Sequence, residues 1–395
     1  MSLQRAGMQR AENFRTPPGR ESMREYFLVM LVAATATHLL CGVMRRVAIR
    51  YGVQALIRER DVHTRPTPYL GGVAMFFGVA CAFLLASNMP FLGRHDVVTK
   101  DSGGVLLAAG VICVVGVLDD VLDLSAIAKI AGQVLAAGIA VINGVRMYWV
   151  SLPERTIALD QATSILITVF FIFVCVNAIN LVDGLDGLAA GVVAVGASAM
   201  FIYTYVLARE ENLVVATTAS LVSATTVGVC LGFLPHNFHR ARMFMGDAGS
   251  MVLGLLLACS SLSFTGQMDS TVINAARAGL MPAWLPLILP FAIMAVPLFD
   301  LVSSYVRRTW NGKWWFVPDK QHLHHRLVRL GHSMITAVLI MYLWTAVFAY
   351  GTIALALAPL QVALVGILTG VVAATLVTLW PARRRARKVD SDAFA

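Results

Sequence analysis

The chain has 395 residues, of which 58% are hydrophobic and 13% are charged, and its mean hydropathy is +0.74. This composition excludes a soluble globular domain and indicates a polytopic membrane protein. The net charge is +9, but the basic residues are spread over separate loops without a binding module, so we expect no nucleic-acid partner. The six cysteines show no CxxC spacing and no neighbouring histidines, which predicts apolar thiols rather than disulfides or zinc ligands.

Apolar runs recur along the whole chain. Because a spanning helix needs about 20 apolar residues, the sequence predicts an all-α fold of about eleven transmembrane helices, with ten as the alternative count. We expect a single transmembrane domain at 26–380, a disordered N-terminal tail at 1–25 and a basic C-terminal tail at 381–395. The predicted spans are 26–48, 69–88, 103–122, 126–145, 161–180, 187–208, 213–234, 250–266, 284–306, 335–357 and 361–380.

The distribution of lysine and arginine predicts the orientation. One set of connections carries 20 of the 31 basic residues, and the positive-inside rule places that set in the cytoplasm and the N-terminus outside. Five arginines in residues 1–25 oppose this assignment. A start of translation at Met23 would remove the conflict, and N-terminal sequencing of the native protein tests that hypothesis.

A polar stretch, NAINLVDGLDG, follows the uncharged run 165–176. It carries Asn177, Asn180, Asp183 and Asp186 at intervals of three. Such side chains at a membrane boundary indicate a functional site, and on a continuous helix they would form a stripe along one face. The alternative is an ordinary polar loop between two membrane helices.

A second motif, GVLDDVLDLS, places Asp119 and Asp120 at the end of an apolar span. Adjacent carboxylates repel each other, and such a pair persists most readily where a cation or phosphate chemistry holds it. Lys129 follows early in the next predicted helix, where its ammonium suits a phosphate. A lysine that merely extends to the membrane interface is the alternative.

The motif MFMGDAGS places Asp247 between two glycines, directly before an apolar span. Small neighbours leave the carboxylate accessible to a metal and let the following helix start face an anion. A simple helix cap is the alternative. In the earlier loop RPTPYLGG, Arg65 and Thr67 can hold a phosphate, and Gly71 and Gly72 permit close approach of the backbone.

The motif PDKQHLHHRL contains three histidines within four residues. Zinc is disfavoured here because lysine and arginine lie beside the histidines and no cysteine is near. Histidines among cations instead suit a diphosphate. The residues are His322, His324, His325 and Arg326.

All these motifs lie in connections assigned to one side of the membrane. Carboxylates that bind Mg²⁺, together with cations for phosphates, predict a phosphoryl-transfer enzyme at the membrane surface. The rival class is an ion-coupled transporter. It would predict ionisable groups near the bilayer midplane and broken helices in repeated halves. The carboxylates cluster instead at the predicted helix ends, and no repeated halves are visible; Asp300, in an apolar run, is the residue that would be a proton relay in a transporter.

The motifs, in this order, resemble those of the polyprenyl-phosphate N-acetylhexosamine-1-phosphate transferase family, over nearly the whole chain. The form DKQHLHHR is similar to the WecA/TagO-like branch, which uses UDP-GlcNAc; another branch uses UDP-MurNAc-pentapeptide. The resemblance implies transfer of GlcNAc-1-phosphate from UDP-GlcNAc to a polyprenyl phosphate, with release of UMP. It further implies a multi-pass protein of the bacterial plasma membrane with a cytoplasmic active site, and it is compatible with a homodimer.

The resemblance also implies roles for individual residues. Asp247 and Asn180 would be ligands of Mg²⁺, with Mn²⁺ as a substitute, while Asp119 and Asp120 would position or deprotonate the lipid phosphate. Asp183 and Asp186 would complete the catalytic set. The substrate-binding residues would be Lys129, Asn177, Asn180, His322, His324, His325, Arg326, Arg65 and Thr67.

Overall fold

The computed structural model describes residues 20–54, 67–94, 96–151, 156–210, 214–265, 285–310, 312 and 323–393. Over these residues the chain is predominantly α-helical, which confirms the predicted class. A helix pairs its backbone polar groups within one segment, as a bilayer requires. The helices are α1 (Arg20–Arg50), α2 (Gly71–Ser87), α3 (Asp96–Leu122), α4 (Ala126–Ile142), α5 (Gln161–Val182), α6 (Leu188–Glu210), α7 (Val214–Asn237), α8 (Gly246–Thr265), α9 (Leu285–Ile293), α10 (Ala295–Trp310), α11 (Leu323–Arg329), α12 (Met334–Leu357) and α13 (Leu360–Ala393).

Two short elements complete the described secondary structure. A 3₁₀ turn at Leu92–Arg94 precedes α3. Strands β1 (Trp149–Ser151) and β2 (Thr156–Ala158) form an antiparallel pair between α4 and α5, with Trp149 opposite Ala158.

Within the described residues, eight helices are long and apolar enough to cross a membrane, and α2 and α4 are shorter apolar helices. They coincide with the predicted spans. The predicted span 284–306 is divided into α9 and α10 by a turn at Met294. Pro297 follows this turn by three residues and lacks the backbone N–H that a continuous helix would use there. The exact number of membrane crossings stays a prediction.

Helix α8 forms the centre of the bundle. It is almost wholly buried and packs against α2, α3, α5 and α7, whereas α13 packs mainly on α12 and is largely exposed. Small polar side chains join the central helices: the hydroxyl oxygens of Ser223 and Ser260 lie 2.5 Å apart, and Ser260 also donates to the carbonyl of Ala219 at 3.1 Å. Such hydroxyl pairs are typical of close helix packing in a membrane. The central position of α8 brings its first turn against the ends of its neighbours.

Candidate active site

Four helix ends meet at one end of the bundle. Helix α3 ends at Leu122, α4 begins at Ala126, α5 ends at Val182 and α8 begins at Gly246. The start of α4 is fixed by Ser125, whose hydroxyl accepts a hydrogen bond from the amide of Ala128 at 3.3 Å. This arrangement joins polar motifs that lie more than 100 residues apart in the chain.

Lys129 lies between two carboxylates. Its Nζ donates to Asp119 Oδ2 at 2.9 Å and also contacts Asp247 Oδ2. The other oxygen of Asp119 accepts from the amide of Leu124 at 3.0 Å. The three side chains are only 14–28% exposed, so their attraction is screened less than that of fully hydrated charges. One cation therefore links the carboxylates of α3 and α8.

Asn180 contacts Asp247 from a third helix. Its Nδ2 donates to Asp247 Oδ1 and to Ser250 Oγ, each at 2.9 Å. Both hydrogen bonds use the amide nitrogen, so Oδ1 of Asn180 forms none within the described part of the chain. Ser250 lies in the first turns of α8 and was not identified from the sequence, although the motif GDAGS contains it.

Asp120 caps the start of α8. Its carboxylate accepts from the amides of Asp247 at 2.8 Å and Ala248 at 3.4 Å. A carboxylate here satisfies helix-terminal N–H groups and favours the positive end of the helix dipole. Gly246 makes room for it: its φ is +66°, and a Cβ there would lie 2.2 Å from Asp120 Oδ2. With the cap provided by α3, the side chain of Asp247 is available to Lys129 and Asn180.

The segment before α2 is joined to the segment before α8. The amide of Phe244 donates to the carbonyl of Pro68 at 2.9 Å, and the amide of Gly72 donates to the carbonyl of Met245 at 2.9 Å. A Cβ on Gly72 would lie 2.1 Å from the backbone nitrogen of Gly249. The prediction that glycine permits a close backbone approach at this point is confirmed.

The predicted polar stripe is divided between a helix and a turn. Asn177 and Asn180 lie in the last turns of α5, but Asp183 follows the end of that helix. Asp186 lies in the following turn, where its Oδ2 accepts from the amide of Ala241 at 2.9 Å. The four residues therefore do not share one helical face, because the turn rotates Asp186 toward the connection between α7 and α8.

Asp183 is the most strongly perturbed of the carboxyl groups outside the helices. It is half-buried, and this burial, together with the negative charges of Asp247, Asp120 and Asp186, raises the pKa of its carboxyl to about 8. The isolated site thus favours a neutral Asp183 near pH 7. A cation bound beside it would favour the charged form.

Asn177 pairs with a residue that the sequence did not identify. Its Nδ2 donates to Gln133 Oε1 and to the carbonyl of Phe173, each at 2.8 Å. Gln133 lies one helical turn after Lys129, and these are the only two polar side chains in α4. A lone glutamine in an apolar helix is the sequence feature that could have identified Gln133 as part of the site.

The other predicted substrate-binding residues lie only partly within the described part of the structure. Thr67 is buried beside the Pro68 segment, and the side chain of Arg326 is exposed on α11. Arg65 and His322 lie outside the described residues. His324 and His325 belong to α11, but their side chains are outside the described part of the structure.

The oxygen atoms at the start of α8 suit a hard divalent cation that takes some of its ligands from the protein and the others from the substrate. Among the described residues, no group of three or more His, Cys, Asp or Glu side chains has the spacing of a metal site. Asp247 and the uncommitted amide oxygen of Asn180 nevertheless provide adjacent oxygen ligands. Mg²⁺ is commonly bound by one or two carboxylates, with water and substrate phosphates in its other positions. These residues fit that pattern.

The chain is similar to known proteins over most of its length. The family described as glycosyl transferase family 4 matches residues 102–265. The decaprenyl-phosphate N-acetylglucosaminephosphotransferase of Mycolicibacterium smegmatis is 43% identical over 369 residues, which are 92% of this chain and 90% of that protein. The chain belongs to the polyprenyl-phosphate N-acetylglucosamine-1-phosphate transferases of glycosyl transferase family 4.

Other members of the family are more distant. The probable undecaprenyl-phosphate N-acetylglucosaminyl 1-phosphate transferase of Bacillus subtilis is 34% identical over 85% of this chain and 86% of its own length. The undecaprenyl-phosphate alpha-N-acetylglucosaminyl 1-phosphate transferase of Escherichia coli is 28% identical over 77% of each chain. The match to the family at 102–265 includes the four helix ends of the site and ends before the histidine motif.

Proposed function

We propose that this transferase moves N-acetylglucosamine 1-phosphate from UDP-N-acetylglucosamine to a polyprenyl phosphate and releases UMP. A lipid phosphate oxygen forms a bond to the β-phosphorus, while the bond from that phosphorus to the bridging oxygen breaks and UMP leaves. The observation that carries the proposal is the convergence of Lys129 with Asp119 and Asp247. A cation among carboxylates at the ends of membrane helices matches the charge requirements of a diphosphate substrate.

The chemistry needs positioning more than proton abstraction. The second pKa of a phosphate monoester is about 6, so the acceptor is largely dianionic at neutral pH. Alignment and charge neutralisation therefore dominate. Lys129 would neutralise phosphate charge, and Asp119 would orient Lys129. Asp120 would act by holding the first turn of α8, to which it is hydrogen-bonded.

We propose Mg²⁺ as the cofactor, with Mn²⁺ as a substitute. Asp247 and Asn180 would hold it, and the ion would neutralise the diphosphate charge. Ser250 donates to the carbonyl of Gly246 at 3.1 Å, which ties the Asn180 contact to the start of α8. Asp183 and Asp186 would complete the polar wall of the site, and the histidine motif would bind phosphate.

The sugar and the lipid are inferred from the relatives. Their names specify N-acetylglucosamine with either a decaprenyl or an undecaprenyl carrier. We propose that the site lies on the cytoplasmic side of a bacterial plasma membrane. The connections that carry it belong to the set with 20 of the 31 lysine and arginine residues, which the positive-inside rule assigns to the cytoplasm. Use of UDP-MurNAc-pentapeptide is the alternative within the same chemistry.

An assay of UMP release tests the proposal. Purified enzyme with Mg²⁺ is offered UDP-GlcNAc, UDP-GalNAc or UDP-MurNAc-pentapeptide, with decaprenyl or undecaprenyl phosphate. We expect turnover with UDP-GlcNAc that stops when Mg²⁺ is chelated. Flux of a solute across proteoliposomes without UMP release would indicate a transporter instead.

The variant Asp247→Ala tests the metal assignment. It should abolish UMP release, and a large excess of Mg²⁺ should not restore it. Asp160→Asn is the matched control, since Asp160 caps the distant start of α5 through the amides of Ala162 and Thr163 and asparagine can retain that cap. Normal turnover by Asp247→Ala would refute the assignment.

A further inference from the structure

A second group of basic side chains lies on α1 and at the end of α7, outside the candidate active site. The rings of His38 and His236 have centroids 4.6 Å apart, and His236 Nε2 lies 3.1 Å from the carbonyl oxygen of His38. The amide of Arg242 donates to the carbonyl of His236 at 2.8 Å. Arg45 follows His38 by seven residues on α1, and Arg242 follows the end of α7. These four residues are called the His–Arg cluster below.

The cluster has no anionic partner among the described residues. Among the described residues, the ion pairs are those of Lys129 with Asp119 and with Asp247. Neither pair involves a member of the His–Arg cluster. The positive charges of Arg45 and Arg242 repel each other, and no carboxylate of the described residues pairs with them. An anion that binds among them removes this repulsion, which makes the cluster a candidate binding site.

The cluster opens toward the lipid. His38 and Arg45 are seven residues apart on α1 and so lie on one face, two turns apart. His38, Arg45 and Arg242 are exposed. Beside them on α1, Leu39 is 64% exposed and Val43 is 43% exposed. Apolar side chains this exposed on a membrane helix contact acyl chains, so an anion reaching the cluster from the side would be attached to a lipid.

The level of the cluster along the bundle also fits a lipid headgroup. His236 lies in the last turn of α7, and the adjacent Asn237 accepts from the amide of Gly187 at 2.9 Å through Oδ1. Gly187 ends the Asp183–Asp186 turn, so the cluster lies at the active-site end of the bundle. Basic groups at that level of a membrane helix attract anionic lipids.

We propose that the His–Arg cluster binds the phosphate of an anionic phospholipid. Two guanidinium groups can donate paired hydrogen bonds to phosphate oxygens, and the exposed ring of His38 adds an N–H donor. The acyl chains would lie along the exposed face of α1. This site is separate from the helix ends that hold Lys129 and does not depend on the proposed reaction.

Lipid retention by the purified full-length protein tests the proposal. The protein is reconstituted in nanodiscs of phosphatidylcholine with a minor fraction of phosphatidylglycerol, and bound lipid is counted by native mass spectrometry. We expect enrichment of phosphatidylglycerol in the wild type. Each of Arg45→Gln and Arg242→Gln should lower its affinity about fivefold, because each removes a guanidinium group that binds the phosphate.

A neighbouring arginine provides the matched control. Arg46 is exposed, but its Nε donates to the carbonyl of Gly42 on its own helix at 3.3 Å. Arg46→Gln should therefore retain phosphatidylglycerol as the wild type does, and all variants should release UMP at the wild-type rate in pure phosphatidylcholine. Equal loss of lipid with Arg46→Gln would overturn the proposal, since it would indicate diffuse surface attraction. Preferential retention of added polyprenyl phosphate over phosphatidylglycerol would overturn it as well.

Discussion

Replacing Gln133 by leucine is expected to destabilise the protein and slow the reaction. Gln133 is 2% exposed, and its Oε1 accepts from Asn177 Nδ2 at 2.8 Å while its Nε2 lies 3.5 Å from Asn177 Oδ1. The pair lies one turn along α4 from Lys129 and one turn along α5 from Asn180. It therefore fixes the separation of the two helices that carry those side chains.

The magnitude follows from what leucine leaves behind. Asn177 keeps its bond to the carbonyl of Phe173 but loses its partner on α4. The Oδ1 atom of Asn177 then has no partner on α4, and a polar atom left unpaired in the interior costs about 1–3 kcal/mol. Coupling energies of interhelical hydrogen bonds in membranes average about 0.6 kcal/mol and reach about 1.7. We therefore expect Gln133→Leu to cost about 1–3 kcal/mol, with a coupling to Asn177→Leu of about 0.6–1.7 kcal/mol.

The effect on rate separates positioning from stability alone. If about 1.4 kcal/mol of transition-state stabilisation is lost when Lys129 shifts, kcat falls about tenfold. The exchange variant, Gln133→Asn with Asn177→Gln, restores one amide on each helix and should recover part of both losses. If the pair had only a structural role, the exchange variant would recover the free energy of unfolding but not kcat.

The assay combines UMP release with unfolding of the purified protein in detergent for the two single variants, the double variant and the exchange variant. Val134→Leu is the matched control, because Val134 is the next residue on α4 and is 44% exposed. It should change neither quantity. Additive losses from Gln133→Leu and Asn177→Leu, or an unchanged kcat in Gln133→Leu, would contradict the positioning argument.

Three further predictions concern the supports of the site. Gly72→Ala should lower the free energy of unfolding by about 1–3 kcal/mol, because the added Cβ would meet the backbone of Gly249. Gly42→Ala is the control: a Cβ there meets open space, so thermal unfolding should show no change. Asp120→Ala should cost about 0.5–2 kcal/mol through loss of the α8 cap and should slow UMP release; an unchanged melting temperature would contradict the capping role. Asp183→Asn should raise Tm at pH 8 and leave it unchanged near pH 4. In the folded protein the pKa of the Asp183 carboxyl is about 8, whereas in the unfolded chain it is about 4. The wild type therefore loses stability between these two pH values as pH rises. Melts without Mg²⁺ over this range measure the difference, and a constant difference would contradict the assignment.

The chemistry of the site was predictable from residue types. Carboxylates, amides and a lysine at the ends of apolar runs stand out because hydrocarbon excludes them. For Asp119, Lys129, Asn180 and Asp247, the structure brings the predicted residues together. Hydrophobic length likewise predicted the helices, since a span needs about 20 apolar residues whatever its neighbours are.

The pairing of those groups was not predictable from spacing. The interval of three in NAINLVDGLDG suggests one helical face, but the helix ends at Val182 and the turn directs Asp186 toward Ala241. The partnership of Gln133 with Asn177 depends on how α4 packs against α5. Periodicity describes one helix at a time and carries no information on such tertiary contacts.

Asp119 and Asp120 show how the packing of one helix separates two roles. Neighbouring residues on an α-helix point about 100° apart, so two identical side chains meet different surroundings. Asp120 faces the start of α8 and binds its backbone amides, while Asp119 faces α4 and binds Lys129. Loss of Asp120 should therefore displace the segment that carries Asp247, whereas loss of Asp119 should leave Lys129 held by Asp247 alone. The first change should lower stability and rate together, and the second should act mainly on rate.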